Sequence, residues 1–329
     1  MKILMFNTQP YEIEDFEAIA DELNVQIDHI NEALTLDNVD KTKDYDAITI
    51  QQHGALSGDS LYKRLAENGI KQISLRSTGY EIIDLKLANK YNLKVTNVPG
   101  YSPRSVSELV LADTMALLRR LKDYSKREER NDFSWTGGQA REIHNLTVGV
   151  IGAGTIGSAS ARIFKALGAR VLAYDPVQRT DLADTVEYVD VNYLLSESDV
   201  VTMHTPLTPE MDHFMNFERF KKMKNDAIFI NASRGGVVDT DALVAALEAG
   251  EIGAAGIDVF DGEAGITSVD LGEKGYDNDN LKALIAMDNV IVTPHIAFFT
   301  DVAVHNMALF SVRDAIKIVS GQNALYQVN

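Results

Sequence analysis

The sequence predicts an α/β protein built from two Rossmann-like domains, each a doubly wound parallel sheet, separated by a cleft, with one domain discontinuous. Three observations predict this. Short β-type apolar runs alternate with helical runs in two successive series. The run Pro99-Gly100-Tyr101-Ser102-Pro103 interrupts them in between. A last helical stretch has no strand after it. The chain has 329 residues, too many for one ordinary domain and comfortable for two.

The first series places strands at residues 3–6, 25–30, 47–50, 72–75 and 94–96, with helical patterns between them, such as 60–67. Ser102 then suits a helix cap and Pro103 a first turn. Val106, Leu109, Val110, Leu117 and Leu121 recur at helical spacing, which predicts one long helix linking two domains. The second series places strands at 147–151, 170–174, 200–204, 227–231, 254–257 and 290–293. Thr300 caps a final helix that runs to about Val319. Its apolar face must be buried somewhere, so it is expected to return to the first domain. The expected division is 1–101 plus 298–329, flavodoxin-like, and 102–297.

Composition narrows the function classes. Hydrophobic residues make up 45% and charged residues 24%, the values of a globular protein. No apolar run is long enough to cross a bilayer. The start, Met1-Lys2-Ile3-Leu4-Met5-Phe6-Asn7, turns polar too soon for a secretory signal and reads as a strand. With no cysteine, disulfides, thiolate nucleophiles and cysteine-held metals are excluded. The cytoplasm is the expected compartment, and no metal is expected. A net charge of -17 argues against a nucleic-acid partner, which needs clustered Lys and Arg.

A cofactor motif opens the second series. Gly152-Ala153-Gly154-Thr155-Ile156-Gly157 follows an apolar strand and precedes a helical run. In such a G-x-G-x-x-G, Gly152 permits the tight turn and Gly154 lets the backbone approach a pyrophosphate. Gly157 allows close helix–strand packing. The helix start at Thr155 and Ile156 offers N–H groups to the anion. The next strand ends in Asp175, 18 residues after Gly157, where an acid accepts hydrogen bonds from a ribose. An acid there repels a 2′-phosphate, so NAD (as NADH in reduction) is favoured over NADP. His204-Thr205-Pro206 and Asn231-Ala232-Ser233-Arg234 follow two further strands, and ligands of open α/β sheets sit beyond such ends. Thr205, Pro206, Ala232, Ser233 and Arg234 are therefore expected to line the cofactor. His204 by itself reads as a packed or cofactor-lining histidine.

Three strand ends also carry groups suited to hydride transfer onto a keto acid. That reaction needs a cation to hold and polarise the substrate, an acid to protonate the alkoxide, and a group that keeps the acid charged. Arg234, His295 and Glu263 fit these needs. Each has a plainer explanation: a strand-end Arg is usually a surface ion-pair partner, a Glu in an acidic loop is usually solvated, and a His after Pro is usually structural. What favours chemistry is that all three follow strands at one edge of a nucleotide-type sheet.

With these residues in place, the chain resembles the D-isomer-specific 2-hydroxyacid dehydrogenases, above all the lactate and hydroxyisocaproate branches. The resemblance rests on Ser74-Leu75-Arg76-Ser77-Thr78-Gly79, Asn97-Val98-Pro99-Gly100-Tyr101-Ser102-Pro103, the glycine fingerprint, Asn231-Ala232-Ser233-Arg234-Gly235-Gly236-Val237-Val238-Asp239 and Pro294-His295-Ile296-Ala297-Phe298-Phe299-Thr300. It covers nearly the whole chain. It implies that Arg234 binds the substrate carboxylate and carbonyl, that His295 is the proton donor, and that Glu263 is hydrogen-bonded to it. It further implies that Asp258 is the acid near the nicotinamide and that the backbone N–H groups of Thr78 and Gly79 receive the substrate carboxylate. Tyr101 and Phe298 are implied to line the pocket. The implied partners are a small 2-keto or 2-hydroxy acid and a second copy joined through the cofactor domain, with no membrane.

Some positions depart from the family. Ser77-Thr78-Gly79 stands where Asn-Val-Gly is common, and Ile50 stands before Gln51-Gln52 where the lactate branch carries Tyr. An apolar Ile50 in the substrate pocket admits a larger side chain. Ala303-Val304-His305-Asn306-Met307 resembles the hydroxyisocaproate branch, whereas the Trp135 region and Ser233-Arg234-Gly235 resemble the lactate branch. His53 and Gly54 read as a small insertion beside the predicted cleft. The expected activity is D-lactate dehydrogenase, with a broad hydroxyisocaproate-type enzyme as the alternative. A phosphoglycerate enzyme calls for a basic patch, which this acidic chain does not show. Formate oxidation needs no His–Glu proton donor. A non-enzymatic NAD sensor on the same fold is separated from all of these by its lack of turnover.

Overall fold

The computed structural model describes residues 1–52 and 54–329; the insertion residue His53 lies outside them. The chain forms two compact units, 1–102 with 299–329, and 103–298.

The first unit holds β1 (Lys2–Phe6), β2 (Gln26–Ile30), β3 (Ala47–Ile50), β4 (Gln72–Leu75) and β5 (Lys94–Thr96). They form a parallel sheet in the order β2-β1-β3-β4-β5. Parallel sheets bury both faces, so these strands carry continuous apolar runs rather than an alternating pattern. In β1, Leu4 and Phe6 pack with Leu61, Tyr62 and Leu65 of the helix Asp59–Glu67. Ile3 and Met5 face the other way, against Phe16 and Ile19 of the helix Ile13–Leu23. The same layer takes Ala308, Val312 and Ala315 of the last helix, Asp301–Val319. That helix is capped by Thr300, whose hydroxyl accepts from the Ala303 N–H at 3.3 Å. Residues 299–329 thus complete the first unit and make it discontinuous.

The second unit adds β6 (Thr147–Ile151), β7 (Arg170–Tyr174), β8 (Glu187–Tyr188), β9 (Val200–Met203), β10 (Ile228–Asn231), β11 (Ala254–Ile257) and β12 (Val290–Val292). Their order is β12-β11-β10-β9-β6-β7-β8, again all parallel. The strand order reverses between β6 and β9, and such a switch point opens a crevice for a ligand. Val148 and Val150 pack on the helices Pro103–Leu118 and Thr155–Ala166, through Val110, Ala161 and Phe164. Ile151 faces the opposite layer with Leu194 and Leu195.

Two details differ from the sequence expectation. The single long helix breaks: it ends at Leu118, and a second helix spans Leu121–Glu129. Arg120 between them has φ +52, a left-handed conformation that cannot continue a right-handed helix. Leu121, expected on the buried stripe, is 56% exposed. The two-residue edge strand β8 was not expected. Among the described residues no helix is long and apolar enough to cross a membrane.

Candidate active site

At the switch point, the glycines are placed by sterics. Gly152 has φ +92, and a Cβ there would lie 2.6 Å from the His204 carbonyl oxygen. A Cβ on Gly157 would lie 1.8 Å from the Gly152 carbonyl oxygen. Gly154 differs: nothing lies within 4 Å of its Cβ position, so that side of the turn is open. The helix Thr155–Ala166 begins directly after it without a side-chain cap. Its first-turn N–H groups, Thr155 and Ile156 included, have no partner within the helix. Thr205 Oγ1 is buried with no partner among the described residues. An open glycine edge, an uncapped helix start and an orphaned hydroxyl together fit a dinucleotide pyrophosphate.

Asp175 ends β7 and braces this turn. Its carboxylate accepts from the Ala153 N–H at 2.7 Å and the Val177 N–H at 2.8 Å. Each oxygen keeps a second acceptor position, as a ribose hydroxyl requires. His204 is partly covered as a residue, but its Nδ1 is buried without a partner. Nε2 lies 3.1 Å from Thr202 Oγ1. Burial pushes its pKa down to about 4, so this ring is neutral and acts by packing against the glycine turn. Pro206 is exposed beside it.

The end of β10 carries Arg234. Asn231, fully buried, shapes the turn: its amide oxygen accepts from the N–H and hydroxyl of Ser233, at 3.1 and 2.8 Å. Its NH2 donates to the Arg234 carbonyl at 3.0 Å. Ala232 is half-buried within this turn. Arg234 Nη1 donates to the Ser233 carbonyl at 2.7 Å, which orients the guanidinium. Gly235 follows because a Cβ there would meet the Phe260 carbonyl oxygen at 2.2 Å. That close approach sets the arginine turn against the loop that leads to Glu263.

Glu263 and His295 meet directly: His295 Nδ1 lies 3.0 Å from Glu263 Oε1. The other carboxylate oxygen, Oε2, is buried without a partner among the described residues. His295 has φ +58 in the turn after β12. Asp258 holds that turn. Its carboxylate accepts from Thr293 Oγ1 at 2.6 Å and from the N–H groups of Ile296 and Ala297 at 2.8 and 2.9 Å. Its carbonyl accepts the His295 N–H at 2.9 Å. Asp258 thus serves the histidine turn from below. The Phe298 ring stands edge-on to the imidazole at 6.3 Å.

The first unit has its own site features. Ser77 and Thr78 donate their hydroxyls to the carbonyls of Gly79 and Val98, at 2.7 and 3.2 Å. Among the described residues, the Thr78 and Gly79 N–H groups have no acceptor. The departure from Asn-Val-Gly therefore leaves the backbone donors available. Tyr101 offers its carbonyl to Asn306 Nδ2 at 2.7 Å. Ile50 corrects the sequence reading. It is 0% exposed within the core formed with Leu4, Phe6 and Ile48, so it cannot line a pocket that substrate enters. In a parallel sheet both faces of a central strand are covered, and β3 is central. Gln51 next to it was missed: its amide oxygen is buried without a partner at the end of β3. Arg76, fully buried, pairs with Glu12 at 3.1 Å and donates to the carbonyls of Phe6 and Asn7, pinning the strand ends beneath the Ser77–Gly79 turn.

Comparison with known proteins gives a consistent picture. The profile described as D-isomer specific 2-hydroxyacid dehydrogenase, NAD binding domain, matches residues 111–297. The D-2-hydroxyacid dehydrogenase (NAD(+)) of Clostridioides difficile is 37% identical, over all of both chains. The crystal structure of D-lactate dehydrogenase with NAD+ from Lactobacillus jensenii is 40% identical and superimposes with a TM-score of 0.93, over all of both chains. A D-2-hydroxyisocaproate dehydrogenase structure is 30% identical with a TM-score of 0.94, over 100% of this chain and 99% of that one.

Proposed function

The chain belongs to the D-isomer-specific 2-hydroxyacid dehydrogenase family, and from that premise we propose that it reduces a 2-keto acid to the D-2-hydroxy acid with NADH, pyruvate to D-lactate first of all. The observation that carries this is the 3.0 Å contact between His295 Nδ1 and Glu263 Oε1. A carboxylate accepting from Nδ1–H fixes the orientation and tautomer of the ring and leaves Nε2 as the nitrogen assigned to the substrate.

The residues divide the work. Arg234 holds the substrate carboxylate through its planar fork and polarises the keto oxygen. The N–H groups of Thr78 and Gly79 are assigned to the same carboxylate, and Tyr101 and Phe298 to the substrate side chain. NAD, when bound, supplies the hydride acceptor and donor. Gly152, Gly154, Thr155, Ile156 and Gly157 hold its pyrophosphate, Asp175 its ribose, and Thr205, Pro206, Ala232 and Ser233 the rest of its length. In reduction, His295 Nε2 gives its proton to the oxygen that becomes the hydroxyl. In oxidation the neutral imidazole takes that proton back. Asp258 fixes the turn from which it acts.

A broader hydroxyisocaproate-type specificity is supported by the 30% identical structure of that enzyme and by Ala303-Val304-His305-Asn306-Met307. Ile50, buried in the core, lends it no support. The assembly is assigned to a homodimer through the second unit, where Phe133 and Trp135 are 75% and 84% exposed. The cytoplasm, read from the sequence, stands as part of the same proposal.

NADH oxidation with pyruvate, 2-ketoisocaproate and phenylpyruvate, followed by chiral analysis, tests the reading. The expected result is D-product, with the highest kcat/KM on pyruvate. A higher value on 2-ketoisocaproate moves the substrate to the second branch. L-product, or binding of NADH without turnover on any keto acid, rejects the enzyme assignment.

A further inference from the structure

A second buried carboxyl lies beneath the histidine turn. Asp113, on the helix Pro103–Leu118, is 5% exposed. Its Cβ and Oδ2 lie 3.0 and 3.2 Å from the place where Gly256 would carry a side chain. Gly256 and Asp258 are two residues apart, and Asp258 still follows the ladder, its N–H reaching the Asn231 carbonyl at 2.9 Å. Side chains along a strand alternate, so positions 256 and 258 share the face that the helix covers. Asp113 and Asp258 are therefore neighbours on one buried face. Asp258 is 1% exposed and accepts three donors from the histidine turn, the acceptor arrangement typical of a carboxylate.

We propose that Asp113 is a positioning residue for the reaction assigned above: it stays protonated while the turn holds, and its ionisation loosens the turn that carries His295. Two ionised carboxylates cannot share a dry face without repulsion. Relief comes by moving Asp258 with residues 293–297, or by protonating Asp258, which costs the turn an acceptor. Either change displaces the imidazole from its working position. The helix Thr155–Ala166 and strands β10, β11 and β12 pack around this part of the Asp113 helix. Among the described residues, the charged group acting on Asp113 is Asp258. Burial first, and then the Asp258 charge, push the Asp113 pKa up to about 7. Above its ordinary value of 3.8, the folded chain keeps a proton that the unfolded chain releases. This site therefore lowers stability as pH rises to about 7, with no further loss above it.

The test compares kcat/KM for keto-acid reduction against pH in the wild type and Asp113→Asn, both with NADH. In the wild type the alkaline limb contains the ionisation of Asp113 and is steeper by about one proton than in Asp113→Asn, which lacks it. Limbs of equal steepness overturn the proposal. Should Asp113→Asn fail to fold, carbon-13 carboxyl spectra of the wild type decide. They are expected to show an aspartate that titrates near neutrality, and titration of every aspartate below about pH 5 overturns the proposal. The inference rests on the assignment of His295, but the spectra need no turnover. An active His295→Ala would defeat that assignment and leave the carboxyl titration in place.

Discussion

His295→Ala is expected to lower kcat/KM for pyruvate reduction at neutral pH by about 10³-fold, within the usual span for a positioned general acid, while NADH binding stays close to that of the wild type. The separation follows from where the two functions sit. The imidazole meets Glu263 at 3.0 Å, after β12. The glycine turn and Asp175 sit at the ends of β6 and β7, on the other side of the sheet's switch point. Removing the ring also leaves a carboxylate whose Oε2 is already buried without a partner, so water will enter and hydrate Glu263. That water is a poor acid, and kcat falls with kcat/KM. Steady-state kinetics paired with NADH fluorescence titration reads both quantities. Wild-type turnover in the variant removes His295 from the chemistry; lost NADH binding makes its role one of cofactor retention.

The second large effect is expected at Arg234. Replacement by Lys should cost about 10²-fold in kcat/KM, with a rise in KM as well as a fall in kcat. The charge is kept, so the loss measures geometry. The guanidinium uses Nη1 on the Ser233 carbonyl at 2.7 Å, and its N–H groups lie in one rigid plane. An ammonium offers a point charge that cannot bond its own turn and also grip a carboxylate and a carbonyl. The backbone should survive, because Asn231 and the close contact of Gly235 with Phe260 shape it independently of the side chain. Kinetics with pyruvate and circular dichroism of the same sample check this. An unchanged kcat/KM takes Arg234 out of substrate binding.

Much of this was legible in the sequence where a single local rule acts. Strands β3, β4, β5, β6, β7 and β11 fall on the residues expected, because parallel strands carry compact apolar runs bounded by turn residues. Gly152 and Gly157 were readable because only the absence of a Cβ satisfies those contacts. The pairing of Glu263 with His295, 32 residues apart, came from their strand-end positions together with the resemblance; no periodicity brings such residues together. Other features depend on packing that sequence does not display. Ile50 looked like a pocket residue from its place before Gln51-Gln52, yet both faces of the central strand β3 are covered and it lies in the core. The helix break at Arg120 left no Gly or Pro signal. Asp113 sits among apolar residues of a helix, and its meaning appears only once Gly256 is placed beneath it. Asp258 reads as a cofactor acid from sequence, whereas its three donors come from a turn some 35 to 39 residues onward.

Whether the histidine and its carboxylate act as one device is best decided by a double-mutant cycle on kcat/KM at fixed neutral pH, using Glu263→Gln, His295→Gln and the pair together. If Glu263 works only through His295, the double variant loses about as much as His295→Gln by itself. Losses that multiply would contradict the account, because the two side chains would then contribute independently and their 3.0 Å contact would have no part in the proton transfer.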